Sequence, residues 1–273
     1  MVDARAVLVI LTVAAFGPPL AYAQEAPAGG ASADELAKQL SNPIAALISV
    51  PLQLNYDEGY GTGGDGERYT LNIQPVVPIS LNEDWNVISR TILPVIDQDG
   101  IVGAGGQSGL GDTTQSFFFS PKEPTSGGWV WGAGPAFLLP TATEDELGTE
   151  QWAIGPTIVA LKQTADGWTY GALLNYLVSV AGDDDRADVD SMFIQPFLAK
   201  AFPGGRTATI NLESSYDFEG EHWNVPVNLV YSKVTKIGNQ LVSFAGGARY
   251  YLDSPPGGPD WGLRFVVTLL YPK

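Results

Sequence analysis

The feature that most constrains the fold is the strict alternation of residue types in Trp261–Tyr271. Every second residue there is apolar, while the positions between include Gly262, Arg264 and Thr268. Because successive side chains of a strand point to opposite faces, the segment has one wide apolar face and one smaller or more polar face. A soluble strand can also alternate, but Trp and Tyr at its two ends favour a membrane strand. About ten residues are enough for a tilted strand to cross a bilayer.

The same alternation recurs along the chain from Leu47 onward, in about twelve segments. Leu47–Tyr56 and Trp223–Tyr231 are clear examples, whereas Met192–Phe202 is apolar on both faces and its sides stay unassigned. An even number of strands is typical of bacterial outer-membrane barrels. The pattern predicts one all-β domain, a transmembrane up-and-down antiparallel β-barrel of about twelve strands with a short N-terminal helix.

Short connections and longer or more acidic ones alternate strictly between these segments. The short ones are Ser80–Asp84, Lys122–Gly128, Thr164–Gly167, Pro203–Gly205 and Lys236–Asn239. The longer ones are Asp57–Glu67, Asp97–Gly109, Thr141–Glu150, Gly182–Asp190, Asp217–His222 and Asp253–Asp260. This asymmetry predicts short periplasmic turns, long external loops and both termini in the periplasm.

The N-terminal region divides into two expected parts before the barrel of residues 45–273. Residues 1–23 are expected to be a signal peptide, with Arg5 before an apolar run and a small-x-small site before Gln24. Residues 24–44 form a leader, in which Ser32 and Glu35 predict a capped helix over Ala33–Leu40. The helix could seal the periplasmic end of the barrel, lie in its lumen or be a loosely held linker.

Composition excludes several classes of function. The chain has no cysteine, so disulfides and thiolate metal sites are impossible. A formal net charge of −16 argues against nucleic-acid binding. A Ser–His hydrolase needs a histidine, and the single one, His222, lies in a predicted external loop. We therefore predict neither an enzyme nor a cofactor.

Charged residues on predicted inward faces are the candidate functional residues, because charges within a membrane protein usually face its interior. Two arginines fall on adjacent strands, and four further charged residues are assigned to the lumen. The candidates are Arg90, Asp112, Glu213, Asp217, Arg249 and Arg264. They could form a selectivity constriction or an ion-paired plug. A barrel of about twelve strands lies between filled and open barrels, so the sequence favours neither.

The acidic loops are a weaker candidate, for a Ca²⁺ site. Asp183, Asp184 and Asp185 crowd one loop, and Glu144 to Glu150 includes further carboxylates. The spacing of an EF-hand is absent from the sequence. A solvated outer surface is the favoured interpretation, and no metal site is predicted.

Five long segments of the chain carry a resemblance to a known family. They are NPIAALISVPLQLNY (42–56), NIQPVVPISLNEDWNVISRTILPVI (72–96), GLGDTTQSFFFSPK (109–122), AGDDDRADV (181–189) and WGLRFVVTLLYPK (261–273). They resemble the phenol-degradation meta-pathway family, some members of which carry the label neuromedin U-like. The resemblance implies an outer-membrane barrel of a Gram-negative bacterium, with a proposed role in moving hydrophobic or aromatic compounds. It brings no catalytic motif.

The sequence thus predicts passive transport of a small hydrophobic or aromatic compound across the outer membrane. A non-transporting structural or surface-interaction barrel is the alternative, and a barrel lipid hydrolase is a distant third. The expected partners are outer-membrane lipid and lipopolysaccharide, the barrel assembly machinery and the small-molecule substrate. The assembly signal is expected at Leu269 and Tyr271.

Overall fold

The computed structural model describes residues 32–102 and 105–272. The predicted signal peptide and the first part of the leader lie outside these residues. The described chain begins with helix α1, Ala33–Leu40, and continues as β-strands with one short 3₁₀ turn, Asp145–Leu147. The strands are β1 Ile48–Tyr60, β2 Gly66–Ile73, β3 Val76–Ser80, β4 Trp85–Asp99, β5 Gln107–Leu110, β6 Thr113–Pro121, β7 Trp129–Leu139, β8 Gln151–Gln163, β9 Trp168–Gly182, β10 Asp190–Phe202, β11 Arg206–Leu212, β12 Ser214–Asp217, β13 His222–Asn224, β14 Pro226–Ile237, β15 Gln240–Tyr251 and β16 Trp261–Tyr271.

These segments form a closed antiparallel barrel. Each pairs with its neighbours in chain order, and β16 returns to pair with β1 from Ile48↔Tyr271 to Glu58↔Trp261. In the described part of the chain, twelve membrane strands arise from sixteen segments, because β2–β3, β5–β6, β11–β12 and β13–β14 are each one interrupted strand. The predicted fold class, strand number and N-terminal helix are confirmed.

Proline causes one of these interruptions, and a bulge causes another. Between β2 and β3 the pairing with β4 keeps its register on both sides of Pro75, which has no N–H to donate. Between β5 and β6 the pairing with β4 shifts by one residue, from Val95↔Leu110 to Ile92↔Thr114. The extra residue of this bulge falls at Gly111–Asp112.

Side chains alternate between a lipid-facing apolar surface and the lumen. On β14, Leu229 is 58% exposed outside, while its neighbour Asn228 is fully buried inside. The structure also assigns the faces of β10, which the sequence left open. Phe193, Gln195 and Phe197 line the lumen, and Leu198 faces outward. Aromatic residues pair near the strand ends, as in Trp129 with Tyr170, whose ring centroids lie 6.0 Å apart.

The connections at the two ends of the barrel differ less in length than the sequence suggested. The short-turn end holds the connections 81–84, 122–128, 164–167, 203–205 and 238–239. The long-loop end holds 61–65, 100–106, 140–150, 183–189, 218–221 and 252–260. The first loop was predicted as Asp57–Glu67, yet β1 continues to Tyr60. Asp57 resembles a loop residue by polarity, but it is buried on the lumen face.

Helix α1 packs into the short-turn end of the barrel. Its start has the predicted capping box, in which Glu35 N–H donates to Ser32 Oγ and Ser32 N–H donates to Glu35 Oε2. Leu36 is buried against Val234 of the barrel wall. The Gly205 N–H donates to Asp34 Oδ1 at 2.6 Å, which ties the helix to a turn. The structure therefore favours the sealing role over the loose linker. No helix among residues 32–102 and 105–272 is long and apolar enough to span a membrane.

The interior of the barrel has two chemically different halves. The apolar half is filled by side chains of β4, β6, β8 and β9, together with the residue that follows the turn after α1; its members are Ile44, Ile88, Phe118, Val159, Leu161 and Leu173. The polar half is lined by β1, β11, β14, β15 and β16, with the residues Gln53, Asn55, Thr209, Asn211, Ser232, Ser243 and Thr268. Strand β10 borders both halves, because Phe193 and Phe197 pack against the apolar cluster and also line the cavity of the polar half. The candidate site lies in the polar half.

Candidate functional site

An ion pair spans the lumen at the centre of the polar half. Arg264 of β16 donates from Nη1 to Glu213 Oε1 and from Nη2 to Glu213 Oε2, both at 2.7 Å. Its Nε donates to Asn55 Oδ1 at 2.8 Å. Since β14 and β15 lie between the two strands in the sheet, the pair crosses the lumen rather than following the wall. A bidentate, charge-assisted contact of this kind is strong and fixes the orientation of both groups.

Irregular backbone places Glu213 of this pair and a second acceptor, Gln74. Glu213 lies in the break between β11 and β12, where its N–H donates to the carbonyl of Pro226 on the neighbouring strand. Gln74 precedes Pro75 in the break between β2 and β3. Pro226 has no N–H to donate in return, so the hydrogen bonding between the two strands is interrupted at this position. Interruptions of regular pairing often occur next to functional sites.

Arg90 lies at the same level on β4 and has weaker contacts. Its Nη2 donates to Gln74 Oε1 at 3.4 Å, which is a long hydrogen bond. Gln195 donates to Glu213 Oε1 at a similar 3.4 Å. Within the described residues, no carboxylate lies within 4.0 Å of the Arg90 guanidinium. We call Asn55, Gln74, Arg90, Gln195, Glu213 and Arg264 the lumen cluster.

A second ion pair lies one layer nearer the long-loop end. Arg249 Nη1 donates to Asp57 Oδ2 at 3.1 Å, and both side chains are buried. The two residues sit on β15 and β1, on either side of Gly262 of β16, with which both are paired. A Cβ atom on Gly262 would overlap the Asp57 carboxylate and the Tyr56 carbonyl. Glycine thus leaves the gap across which this pair forms.

A cavity of about 440 Å³ lies between the lumen cluster and α1. Its lining mixes apolar side chains such as Phe197 and Val266 with hydroxyls and amides such as Thr209 and Asn211. A second cavity of about 230 Å³ shares three residues with it, Arg90, Ile92 and Phe193. Ligand pockets are typically about 300–1,000 Å³ and combine apolar walls with a few polar groups, which is the chemistry of this space.

The structure brings together three of the six candidate residues and places a fourth close by. Arg90, Glu213 and Arg264 belong to the lumen cluster, and Arg249 lies in the layer above. Asp112 sits in the β5–β6 bulge, where it accepts from Thr149 N–H and Oγ1 and holds a loop in place. The function of these residues as selectivity determinants stays a prediction.

The remaining candidate, Asp217, is half exposed at the long-loop end. Its Oδ1 accepts from the N–H groups of Glu219 and Gly220, and Oδ2 lies 3.8 Å from His222 Nε2. Asp217 was predicted as a candidate residue only because alternation assigned it to the inward face. Alternation predicts which face of the strand a residue occupies but not how far along the barrel it lies. Asp217 lies nearer the long-loop end than the lumen cluster does.

Asn55 and Asp57 are two of the lumen residues that sequence reasoning missed as site candidates. The signal was available, because both continue the inward alternation of β1 after Ser49 and Gln53. Asp57 was assigned to a loop because it precedes a run of Gly and acidic residues. The residue types of this segment do not show that β1 continues to Tyr60.

The acidic loops are held by an arginine rather than arranged around an ion. Arg186 Nη2 donates to the carbonyls of Asp145 and Gly148, which joins the loop 183–189 to the loop 140–150. Among residues 32–102 and 105–272, no group of three or more acidic, histidine or cysteine side chains is placed to hold a metal ion. The carboxylates of Asp183, Asp184 and Asp185 therefore gain no support as Ca²⁺ ligands.

A family model described as "Putative MetA-pathway of phenol degradation" matches residues 64–254. The match covers more than half of the chain and includes Arg90, Glu213 and Arg249. The chain belongs to this family. Among curated protein sequences none matches the chain.

Two solved structures resemble this family member. An outer membrane channel from Pseudomonas putida F1 aligns with a TM-score of 0.63 at 13% identity, over 83% of this chain and 96% of the channel. A FadL homologue of Pseudomonas aeruginosa aligns with a TM-score of 0.41 at 9% identity, over 84% and 91% of the two chains. The first likeness supports the barrel fold of the family member. The second is too distant to bear on it.

Proposed function

We propose that this protein allows passive passage of a small, largely apolar compound across the outer membrane, without an energy source or a cofactor. The observation that carries the proposal is the cavity of about 440 Å³ in the polar half, whose walls combine Phe197 and Val266 with amides and hydroxyls. Such walls suit a compound with a hydrocarbon body and one polar group. The family's link to phenol degradation and the likeness to an outer membrane channel of Pseudomonas putida support this proposal.

Passage through this space requires movement at two places. Helix α1 lies between the cavity and the short-turn end, and the Arg264–Glu213 pair spans the lumen above the cavity. The Arg264–Glu213 ion pair can re-form after each passage because the backbone of both residues stays fixed in the barrel wall. Helix α1 can move as a unit because it is tied to the wall by few polar contacts, such as those of Asp34 with Gly205 and of Lys38 with Gln163.

Placement of the long-loop end outside the cell is part of the proposal. Outer-membrane lipid and lipopolysaccharide would contact the apolar outer surface, and the barrel assembly machinery would insert it. An epitope tag in residues 183–189 should bind antibody on whole cells, and a tag in Thr164–Gly167 should bind only after the outer membrane is opened. The reverse pattern would overturn the orientation.

A flux measurement tests the transport proposal. Ala245 faces the cavity and Ala248, three residues later on β15, faces lipid. In vesicles with lipopolysaccharide in the outer leaflet, the wild-type protein should accelerate phenol entry. Ala245→Trp should abolish most of this acceleration by filling the cavity, while Ala248→Trp should leave it unchanged. Equal flux through both variants would contradict the assigned path.

A non-transporting barrel is the second candidate. It is favoured by the two obstructions in the lumen, helix α1 and the Arg264–Glu213 pair. It predicts that neither the wild-type protein nor a variant with a loosened helix, Leu36→Asp, accelerates phenol entry. Leu36 is fully buried against the barrel wall, so the added charge should displace α1. We propose no catalytic function. A lipid hydrolase would gain support only if His222→Ala abolished an ester-cleaving activity shown by the purified barrel.

A further inference from the structure

Arg90 is the lumen arginine whose charge is matched least closely among the described residues. Arg264 is matched by Glu213 at 2.7 Å, and Arg249 is matched by Asp57 at 3.1 Å. Among residues 32–102 and 105–272, Arg90 has no such carboxylate and contacts the neutral Gln74 at 3.4 Å. Glu213 is already held by both outer nitrogens of Arg264. An arginine stays charged in a protein, so this site favours an anion.

The surroundings of Arg90 show which kind of anion fits. Arg90 borders both cavities, together with the apolar side chains of Ile92 and Phe193. The smaller cavity continues with an apolar side chain and three that can form hydrogen bonds, namely Leu177, Thr114, Asn175 and Ser191. An inorganic anion would gain nothing from the apolar walls. A hydrocarbon ring or chain carrying one anionic group would use both.

We infer that Arg90 anchors the carboxylate of a small organic acid with an aromatic or aliphatic body. This inference rests on the proposed function and narrows its substrate class. The guanidinium can bind a carboxylate through two nitrogens, and the long Gln74 contact is easily exchanged for a charged acceptor. The hydrocarbon body lies against Phe193 and Ile92. Arg90 thereby selects the acid over its uncharged analogue.

Equilibrium binding to the purified full-length barrel in non-ionic detergent tests the inference, with benzoate and its uncharged analogue benzamide as probes. Wild-type protein should bind benzoate at least about tenfold more tightly than benzamide, as expected for a hydrogen bond to a charged group. Arg90→Gln should remove this preference. Arg90→Lys should retain part of this preference, because lysine keeps the positive charge but cannot bind a carboxylate through two nitrogens.

Arg206→Gln is the matched control, since Arg206 is exposed at the short-turn end and donates to its own turn at Pro203. It should bind both probes like wild type. Equal affinity for benzoate and benzamide in wild type would overturn the inference, and so would an unchanged preference in Arg90→Gln. If Arg90→Gln fails to fold, the wild-type comparison and Arg90→Lys still decide, because complete loss of the preference in Arg90→Lys would contradict an anchor based on charge.

Failure of this inference can be told apart from failure of the proposed function. Phenol flux that is blocked by Ala245→Trp, without a benzoate preference, would refute the anchor and keep the channel. Saturable benzoate binding that depends on Arg90, without flux of either compound, would keep the anchor and refute the channel.

Discussion

The apolar half and the polar half of the barrel interior belong to one sheet, yet their side chains pack differently. In the apolar half, Ile88, Phe118 and Val159 belong to one packed cluster and are nearly or fully buried. In the polar half, the side chains of Arg264 and Glu213 form a single ion pair across part of the lumen. A cavity of about 440 Å³ lies between this pair and α1. The comparison shows that strand number alone does not decide whether a barrel is filled. The residues that face inward decide it.

The two halves also differ in what their side chains contribute to the free energy of unfolding. Burial of apolar side chains stabilises without regard to direction. A buried ion pair gives less net stability, since desolvation of both charges offsets their attraction. The apolar half therefore suits a structural function, and the polar half suits a site whose contacts must open and re-form.

The largest expected effect is the loss of one partner of the central pair. Arg264→Met leaves the Glu213 carboxylate unpaired in the lumen, so the free energy of unfolding should fall by about 3 kcal/mol. The double variant Arg264→Met/Glu213→Gln should recover most of that loss, since both charges of the pair are removed together. Urea unfolding in detergent micelles, followed by tryptophan fluorescence, measures both. A double variant as unstable as the single one would show that the pair stabilises the polar half more than we claim.

A smaller effect is expected from identical truncations in the two halves. Val159→Ala removes two methyl groups from a fully buried position, and should lower the free energy of unfolding by about 2 kcal/mol. Val266→Ala is the matched change at the cavity wall and should cost roughly 1 kcal/mol or less, because less packing is lost. The same unfolding experiment compares them. Equal losses would erase the distinction between a filled and an unfilled half.

The smallest effect concerns the seal at the short-turn end. Ser32→Ala removes the acceptor for Glu35 N–H and half of the capping box, which should destabilise α1 by about 1 kcal/mol. Because the helix can loosen without unfolding the barrel, hydrogen exchange of α1 amides should accelerate while exchange in the barrel strands stays unchanged. Slowed or unaltered exchange in α1 would show that the cap does not hold the seal.

The sequence predicted the wall of the barrel better than its interior. Strand faces follow from a period of two, so Arg249 and Arg264 were assigned to the lumen correctly, and the capping box of Ser32 and Glu35 predicted α1. Depth along a strand has no such period. For this reason Asp112 and Asp217, which contact the loops 140–150 and 218–221, were grouped with residues that lie farther from the long-loop end.

The division into halves could not be predicted from alternation either. Which inward residues meet depends on pairing register and on closure of the sheet, both of which are long-range properties. The partner of Arg264 illustrates this, because Glu213 lies 51 residues away and β14 and β15 lie between their strands. The pairing of Asp57 with Arg249 is also long-range, since the two residues are 192 positions apart in the chain.

Reaction of single cysteines with a water-soluble thiol reagent tests the central claim most directly, since the chain has no cysteine of its own. Val266→Cys and Val159→Cys introduce the same thiol into the polar and the apolar half. With the barrel folded in membranes, the thiol at position 266 should react rapidly and the thiol at position 159 should stay protected until denaturant is added. Equal rates, or faster reaction at position 159, would contradict the account that water and solute reach only the polar half.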